Sequence, residues 1–441
     1  MSAYSVKQSD ACRSLLTDLS WGRVLGPLLS LGATLGTFVL FAVQGILLAR
    51  LLGPELRGAF AAAILFPQTL LYLGLLGAPE LFARYAAQGV ENTSLRRSAA
   101  RYGLLAGLIS LGVCWLLDGV FIQAELRWVL PWACLCALVL PLQQIRLAVQ
   151  AVDHGQREFR RFNQCRLLAA AAFPLALILA YTAGLTSFPQ ICIVFVISQT
   201  LALLLAQSGM RETWRGRSAV SMPAALRQAR PLVASWFSSE LLERLDMCLM
   251  LALVTDEATL GYYAAALPIA SLLIIVPNTA SLYAFNRGAR EEEIPTAAVV
   301  WKMLVAGVVI QVASAAALAA VLPWLVPFFY GEAFAPTVTF AWWLLPAGMF
   351  RGLLQAVDGY LRARGRAVVG VAARVAGIIL LVAVSMLAGP WLAQWNIPPA
   401  HAIPLGLSLA LGFCFCVLSA AVLVDVTIHH GRRERLASGL S

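Results

Sequence analysis

Glu240, Glu243, Arg244 and Asp246 fall inside a run from Pro231 to Val254 that is otherwise apolar enough to cross a bilayer. On a helix, at about 100° per residue, Glu240 and Arg244 lie roughly 40° apart, and Glu243 and Asp246 continue the same face on the other side. A charge at mid-membrane is unfavourable unless it is paired or faces water, so such residues mark pathways for polar cargo. Two readings follow. The four residues line a polar cavity and bind its substrate, or Glu240 and Arg244 form an i,i+4 pair that only ties helices together. A second constellation occurs twice. Arg146, Gln150 and Asp153, and again Arg351, Gln355 and Asp358, stand at i, i+4 and i+7, which is one helical stripe. These are candidate gate or headgroup contacts; the competing reading is an interfacial arginine that snorkels, followed by a capped, solvated helix end.

Other chemistry finds little support. The nine cysteines form no metal or disulfide framework. Most, such as Cys114, Cys192 and Cys248, sit in apolar runs as small hydrophobes, and the close spacing of Cys134/Cys136 and Cys414/Cys416 is poor for zinc. There is no P-loop and no zincin or serine-hydrolase motif. No metal, cofactor or bound ATP is expected, and the chain reads as a non-enzyme.

The elements that position these residues are membrane spans. The 441 residues are 60% hydrophobic and only 12% charged, against about 25% charged in a soluble protein. Apolar runs of spanning length recur throughout, so the chain is an all-α polytopic membrane protein. Twelve spans are expected, near 25–48, 58–79, 102–120, 128–149, 167–184, 188–207, 231–254, 261–283, 298–322, 334–356, 367–388 and 404–425. With the N-terminus inside and the loops alternating, only Arg50, Arg57 and Arg127 of the 32 basic residues fall in outside loops, and Arg146, Arg244 and Arg351 fall within spans. Both termini are therefore expected in the cytoplasm. The net charge of +10 faces anionic membrane lipid, and no nucleic-acid partner is expected. Gln44, Gln68 and Gln311, alone in their spans, read as interhelical hydrogen bonds, and Pro67 and Pro268 as bend points.

The order is a cytoplasmic segment 1–24, a six-span lobe 25–207, a cytoplasmic linker 208–230, a second six-span lobe 231–425 and a basic tail 426–441. The lobes repeat. Arg146, Gln150 and Asp153 match Arg351, Gln355 and Asp358 at one offset, with Arg157/Arg362 and Arg161/Arg366 continuing it. Gly58 and Phe60 match Gly261 and Tyr263 at a nearly equal offset, and Arg84 falls on Arg287. An even number of spans per copy makes this a parallel repeat, which places a cavity between two lobes.

Several stretches resemble bacterial polysaccharide flippases. They are Arg50-Leu51-Leu52-Gly53-Pro54-Glu55-Leu56-Arg57-Gly58; Glu243-Arg244-Leu245-Asp246 followed by Gly261-Tyr262-Tyr263-Ala264; Phe329-Tyr330-Gly331-Glu332; and Gly359-Tyr360-Leu361-Arg362. In order and spacing they are similar to the O-antigen and capsule repeat-unit transporters of the multidrug/oligosaccharidyl-lipid/polysaccharide exporter superfamily. The resemblance implies a MATE-like fold in the bacterial inner membrane. It also implies alternating access of two lobes that carries an undecaprenyl-pyrophosphate-linked oligosaccharide to the outer leaflet, with glycan polymerase and glycosyltransferases as partners. In lipid II flippases, arginines in the first two spans are important; here the first span has no charge from Val24 to Ala49, and the buried cation is Arg244. A lipid-linked glycan other than lipid II is therefore expected. The alternatives are a cation-coupled multidrug exporter of the same superfamily, which needs deep acidic residues in the first lobe, and a membrane glycan polymerase or ligase, which needs a large charged outer loop.

Overall fold

The computed structural model describes residues 21–156, 158–207, 222–275, 277, 296–364 and 366–437, and every element among them is helical. Helix α1 (Trp21–Leu73) has 53 residues. A straight helix of that length would run about 80 Å, far more than the ~30 Å hydrocarbon core. It turns instead at Gly53, whose φ of 71° and ψ of 178° leave the helical region immediately before Pro54. One continuous helix thereby supplies the first two spans, and its backbone stays helical at Pro67, where a bend was expected. A glycine-bounded turn then leads to α2 (Ala78–Ala87).

Helix α3 (Asn92–Phe121) is followed by a 3₁₀ turn (Ala124–Val129), α4 (Leu130–Ala137) and α5 (Leu140–Gly155). The turn and α4 together meet α5 at a bend of 42°, and the pair is jointly long and apolar enough to cross a membrane. Helices α6 (Phe159–Thr182), α7 (Phe188–Gln207), α8 (Met222–Leu253) and α9 (Glu257–Ser271) come next, then α10 (Ala297–Tyr330), α11 (Thr337–Ala363), α12 (Ala367–Ala393) and α13 (Ala402–Ala437). Among the described residues eight helices are long and apolar enough to cross a membrane, nine when the bent α4–α5 pair is taken as one span. The Gly53 turn divides one of these in two, and α8 and α11, whose charges lower their mean hydropathy, complete the twelve expected spans. Helix α8 begins at Met222 and α13 continues to Ala437, so both reach into segments read as linker and tail. Segments 1–20 and 208–221 and the repeat members Arg157 and Arg287 lie outside the described residues.

Buried carboxylates tie the helices on each side. Asp153 on α5 accepts from Arg96 on α3 and pairs with Arg161 on α6 at 3.6 Å. Asp358 on α11 pairs with Arg374 on α12 at 2.6 Å, and Asp425 on α13 pairs with Arg364 and Arg366 at 3.2 and 2.7 Å.

The first six spans meet the last six most closely where α1 crosses α9. A methyl group added at Gly58 would overlap the carbonyl oxygen of Glu257, and one added at Gly261 would overlap that of Pro54. The two contacts are reciprocal, since Gly58 matches Gly261 and Pro54 stands before Gly58 as Glu257 stands before Gly261. Backbones approach this closely only where no Cβ intervenes. Polar contacts surround the crossing. Arg50 donates from Nε to Phe329 O at 2.7 Å and from Nη2 to Phe328 O at 2.5 Å. Gln123 donates to Leu251 O and Ala252 O at 2.9 and 2.8 Å, and Trp128 Nε1 donates to Glu257 Oε1 at 3.0 Å. The accepting carbonyls are the orphans at the C-terminal ends of α10 and α8. Together these contacts close the crossing between α1 and α9.

Candidate functional site

A cavity of about 800 Å³ is lined mainly by α1, α5, α6 and α7, with α2 and α8 contributing the rest. Helix α5 contributes Gln143, Arg146, Gln150 and His154, spaced three, four and four residues apart, so one polar stripe faces the cavity along the whole helix. Helix α1 contributes Thr34, Thr37 and Gln44 before the Gly53 turn and Gln68 and Tyr72 after it. Phe162 and Arg166 come from α6, and Phe195 and Gln199 from α7. Helix α8 adds Trp236 and Arg244, and α2 adds Glu80, the one carboxylate in the lining.

Tyr72 is the meeting point. Trp236 Nε1 donates to Tyr72 O at 3.2 Å, and the Arg244 guanidinium lies 5.1 Å from the Tyr72 ring centroid, a cation–π contact. Arg146 and Arg166 are both within electrostatic reach of Tyr72 and repel one another. Arg244 is balanced by Glu240, which accepts from its Nε at 3.3 Å. Arg146 and Arg166 are not balanced in this way. Arg146 Nη1 donates to Gln150 Oε1 at 3.0 Å, and Arg166 donates to the Thr34 hydroxyl at 3.4 and 3.5 Å and lies 5.4 Å from the Phe162 ring centroid. Among the described residues neither has a carboxylate partner, and Arg146 Nε and Gln150 Nε2 are buried without a hydrogen bond. Two uncompensated guanidinium groups in a low-dielectric cavity attract an anion strongly, and their planar forks suit phosphate oxygens. Among the described residues no three His, Cys, Asp or Glu side chains are grouped to hold a metal ion.

The residues singled out in the sequence are divided among different tasks. Arg244, Arg146 and Gln150 line the cavity. Glu240 holds Arg244, whereas Glu243 accepts from Arg351 on α11, so the Arg351 that matches Arg146 is already engaged. Asp246 is 1% exposed and accepts from Tyr263 Oη at 2.5 Å. Asp153 and Asp358 are buried in the helix-tying pairs, and Gln355 Oε1 is buried without a partner. Gln311 bridges helices through Leu273 O at 2.9 Å, as its isolation suggested, but Gln44 and Gln68 face the cavity. Sequence reasoning passed over Arg166, Tyr72, Gln143 and Gln199 as site residues. The three-and-four spacing of Gln143, Arg146 and Gln150 is the signal that could have found one of them.

The architecture recurs in solved transporters. An inward-facing multidrug resistance MATE family transporter of the MOP superfamily superposes with a TM-score of 0.71 at 11% identity, covering 90% of this chain and 96% of that one. The lipid II flippase MurJ, in an inward closed conformation, superposes with a TM-score of 0.70 at 14% identity, covering 92% of this chain and 90% of that one. An outward-facing MATE family transporter gives a lower TM-score of 0.63 at 12% identity, covering 91% of this chain and 94% of that one. No curated protein sequence matches the chain. The model of the polysaccharide biosynthesis protein family matches residues 26–284. Matched over more than half its length and sharing the fold of MATE transporters and MurJ, this multi-pass membrane protein belongs to the polysaccharide biosynthesis protein family.

Proposed function

We propose that the protein flips a lipid-linked oligosaccharide from the cytoplasmic to the outer leaflet of a bacterial inner membrane, holding its diphosphate at Arg146, Arg166 and Arg244. The observation that carries this reading is the pair of arginines, without carboxylate partners among the described residues, inside a cavity of about 800 Å³. A cation-lined cavity suits the anionic diphosphate of a polyprenyl carrier and repels the cationic substrates of a drug exporter. The polyprenyl tail stays in lipid while the polar head passes between the lobes. The excess of arginine in alternate loops supports a cytoplasmic position for both termini and the 208–230 linker. The closed crossing at Gly58 and Gly261 then lies on the outer side and the cavity faces inward. The reciprocal contact of those glycines supports two parallel lobes related by an axis along the membrane normal. Transport needs no bond chemistry, so no catalytic residue is assigned.

Movement of a fluorescent undecaprenyl-diphosphate-linked oligosaccharide across proteoliposomes tests the proposal. Arg146→Gln and Arg166→Gln should each remove charge-assisted hydrogen bonds of about 1.5–3 kcal/mol, lowering transport roughly tenfold or more at normal abundance. Normal transport in the double variant would contradict it.

A further inference from the structure

His154 ends the polar stripe of α5, one turn beyond Gln150, and its exposed ring faces the cavity. The ring centroid lies 5.1 Å from that of Phe162 and 6.1 Å from that of Phe159, both on α6. The Arg166 guanidinium lies 5.4 Å from the centroid of the same Phe162 ring. One aromatic side chain therefore holds the imidazole and the guanidinium as neighbours. Arg166 is within electrostatic reach of both His154 and Arg146. Those two residues are eight positions apart on α5, a rise of about 12 Å, and Arg166 links the two ends of the stripe. Among the described residues the imidazole has no hydrogen bond to the protein. The other charged groups nearby belong to every packed element. Asp153, next in the chain, is held by Arg96 on α3 and Arg161 on α6, and Glu158 also accepts from Arg96. On α2, Glu80 lines the cavity and Arg84 is exposed, and on α8, Arg244 is held by Glu240. Of these described charges only Arg166 acts on the His154 ring.

We propose that His154 is a further ligand of the carried diphosphate and holds it as the imidazolium, so that filling the cavity takes up a proton. The inference rests on the diphosphate reading above and adds a residue and a proton to it. A free imidazole is mostly neutral at pH 7, and with Arg166 beside it the empty cavity keeps His154 in that form. The diphosphate brings two negative charges, which outweigh the single charge of Arg166 and reverse the preference. The proton comes from solution and binds the unprotonated ring nitrogen. The new N–H donates to a phosphate oxygen, and the proton returns to solution when the diphosphate leaves. A diphosphate esterified at both ends has no ionisation near neutral pH, so the protein carries the proton and the ligand does not. His154 thereby differs from Arg146 and Arg166, which are charged whether or not the anion is present.

The test is titration calorimetry of the purified full-length protein with a water-soluble short-prenyl diphosphate esterified to one hexose. Each pH is measured in two buffers of unlike ionisation enthalpy, whose difference in heat counts protons. Near pH 7.5 the wild type should take up close to one proton per ligand. Its affinity should rise by up to about tenfold for each unit of pH lowered, a gain that is lost as pH rises through the value at which the bound imidazolium titrates. His154→Gln should bind with no uptake and an affinity independent of pH, equal to the wild type in alkali and about tenfold weaker near neutrality. His154→Arg, charged at every pH, should restore tight binding without uptake. Uptake by His154→Gln equal to that of the wild type, or wild-type binding with no uptake, overturns the proposal. Arg146→Gln should weaken binding at every pH and leave the uptake in place. If Arg146→Gln and Arg166→Gln both bind as tightly as the wild type, the diphosphate reading fails separately; if the probe does not bind the wild type, both fail.

Discussion

Substitution of Gly58 or Gly261 by alanine should open the crossing between α1 and α9. Each added methyl group meets a backbone carbonyl of the other helix, and the one at Gly58 also lies 2.8 Å from Gly261 N, so no flexible side chain can yield. Overpacking of this kind costs about 1–3 kcal/mol. In a state where α1 and α9 have parted at this crossing the methyl groups meet nothing, so the penalty falls on the closed crossing alone. A bias of that size shifts a two-state population by about 5- to 150-fold. Spin labels at the exposed residues Glu125 and Thr255, in a cysteine-free background, would report the separation across the crossing. Either variant should add a population at longer distance. The double variant should exceed the singles by less than their sum, because both act on one contact. Wild-type distances in both variants, at normal abundance, would refute the crossing as a closure.

The other perturbations separate structural from transport roles. Arg351→Gln removes the guanidinium that Glu243 accepts from, so thermal unfolding in detergent should show a loss of about 1.5–3 kcal/mol, and adding Glu243→Gln should restore most of it. Arg244→Gln combined with Glu240→Gln should restore abundance but not glycan export per folded protein; normal export would make the 3.3 Å pair purely structural. Asp256, in the turn between α8 and α9, accepts from Thr259 N at 2.8 Å, and the Thr259 hydroxyl and backbone together hold its carboxyl below the usual aspartate range. That stabilisation is present above the ordinary aspartate pKa and is lost as pH falls through the lowered one. Asp256→Ala should therefore cost about 0.5–2 kcal/mol at neutral pH, measured by thermal unfolding, and progressively less in acid.

Most of the fold could be read in advance because it follows from solvent chemistry. Apolar runs must become helices in lipid, whereas the match of Gly58 to Gly261 was read only as a repeat and the contact between the two emerges from the structure. The site was less legible. The face carrying Glu240, Glu243, Arg244 and Asp246 suggested one polar surface, but tertiary packing divides it: α11 brings Arg351 to Glu243, and α9 brings Tyr263 to Asp246. The i,i+4 partner Glu240 was legible, because helix geometry alone creates it. Arg166 was hidden by its position at the positive end of a span, where arginine is common whatever its task. The matched Arg146 and Arg351 diverge because one faces open volume and the other faces a carboxylate, which no local pattern reveals.

A structure of the protein with a bound undecaprenyl-diphosphate-linked oligosaccharide tests the central claim most directly. The account predicts diphosphate oxygens within hydrogen-bond distance of both Arg146 and Arg166, with Arg244 beside Tyr72 completing the site. A diphosphate bound elsewhere, with Arg146 and Arg166 facing only water or protein, would contradict it.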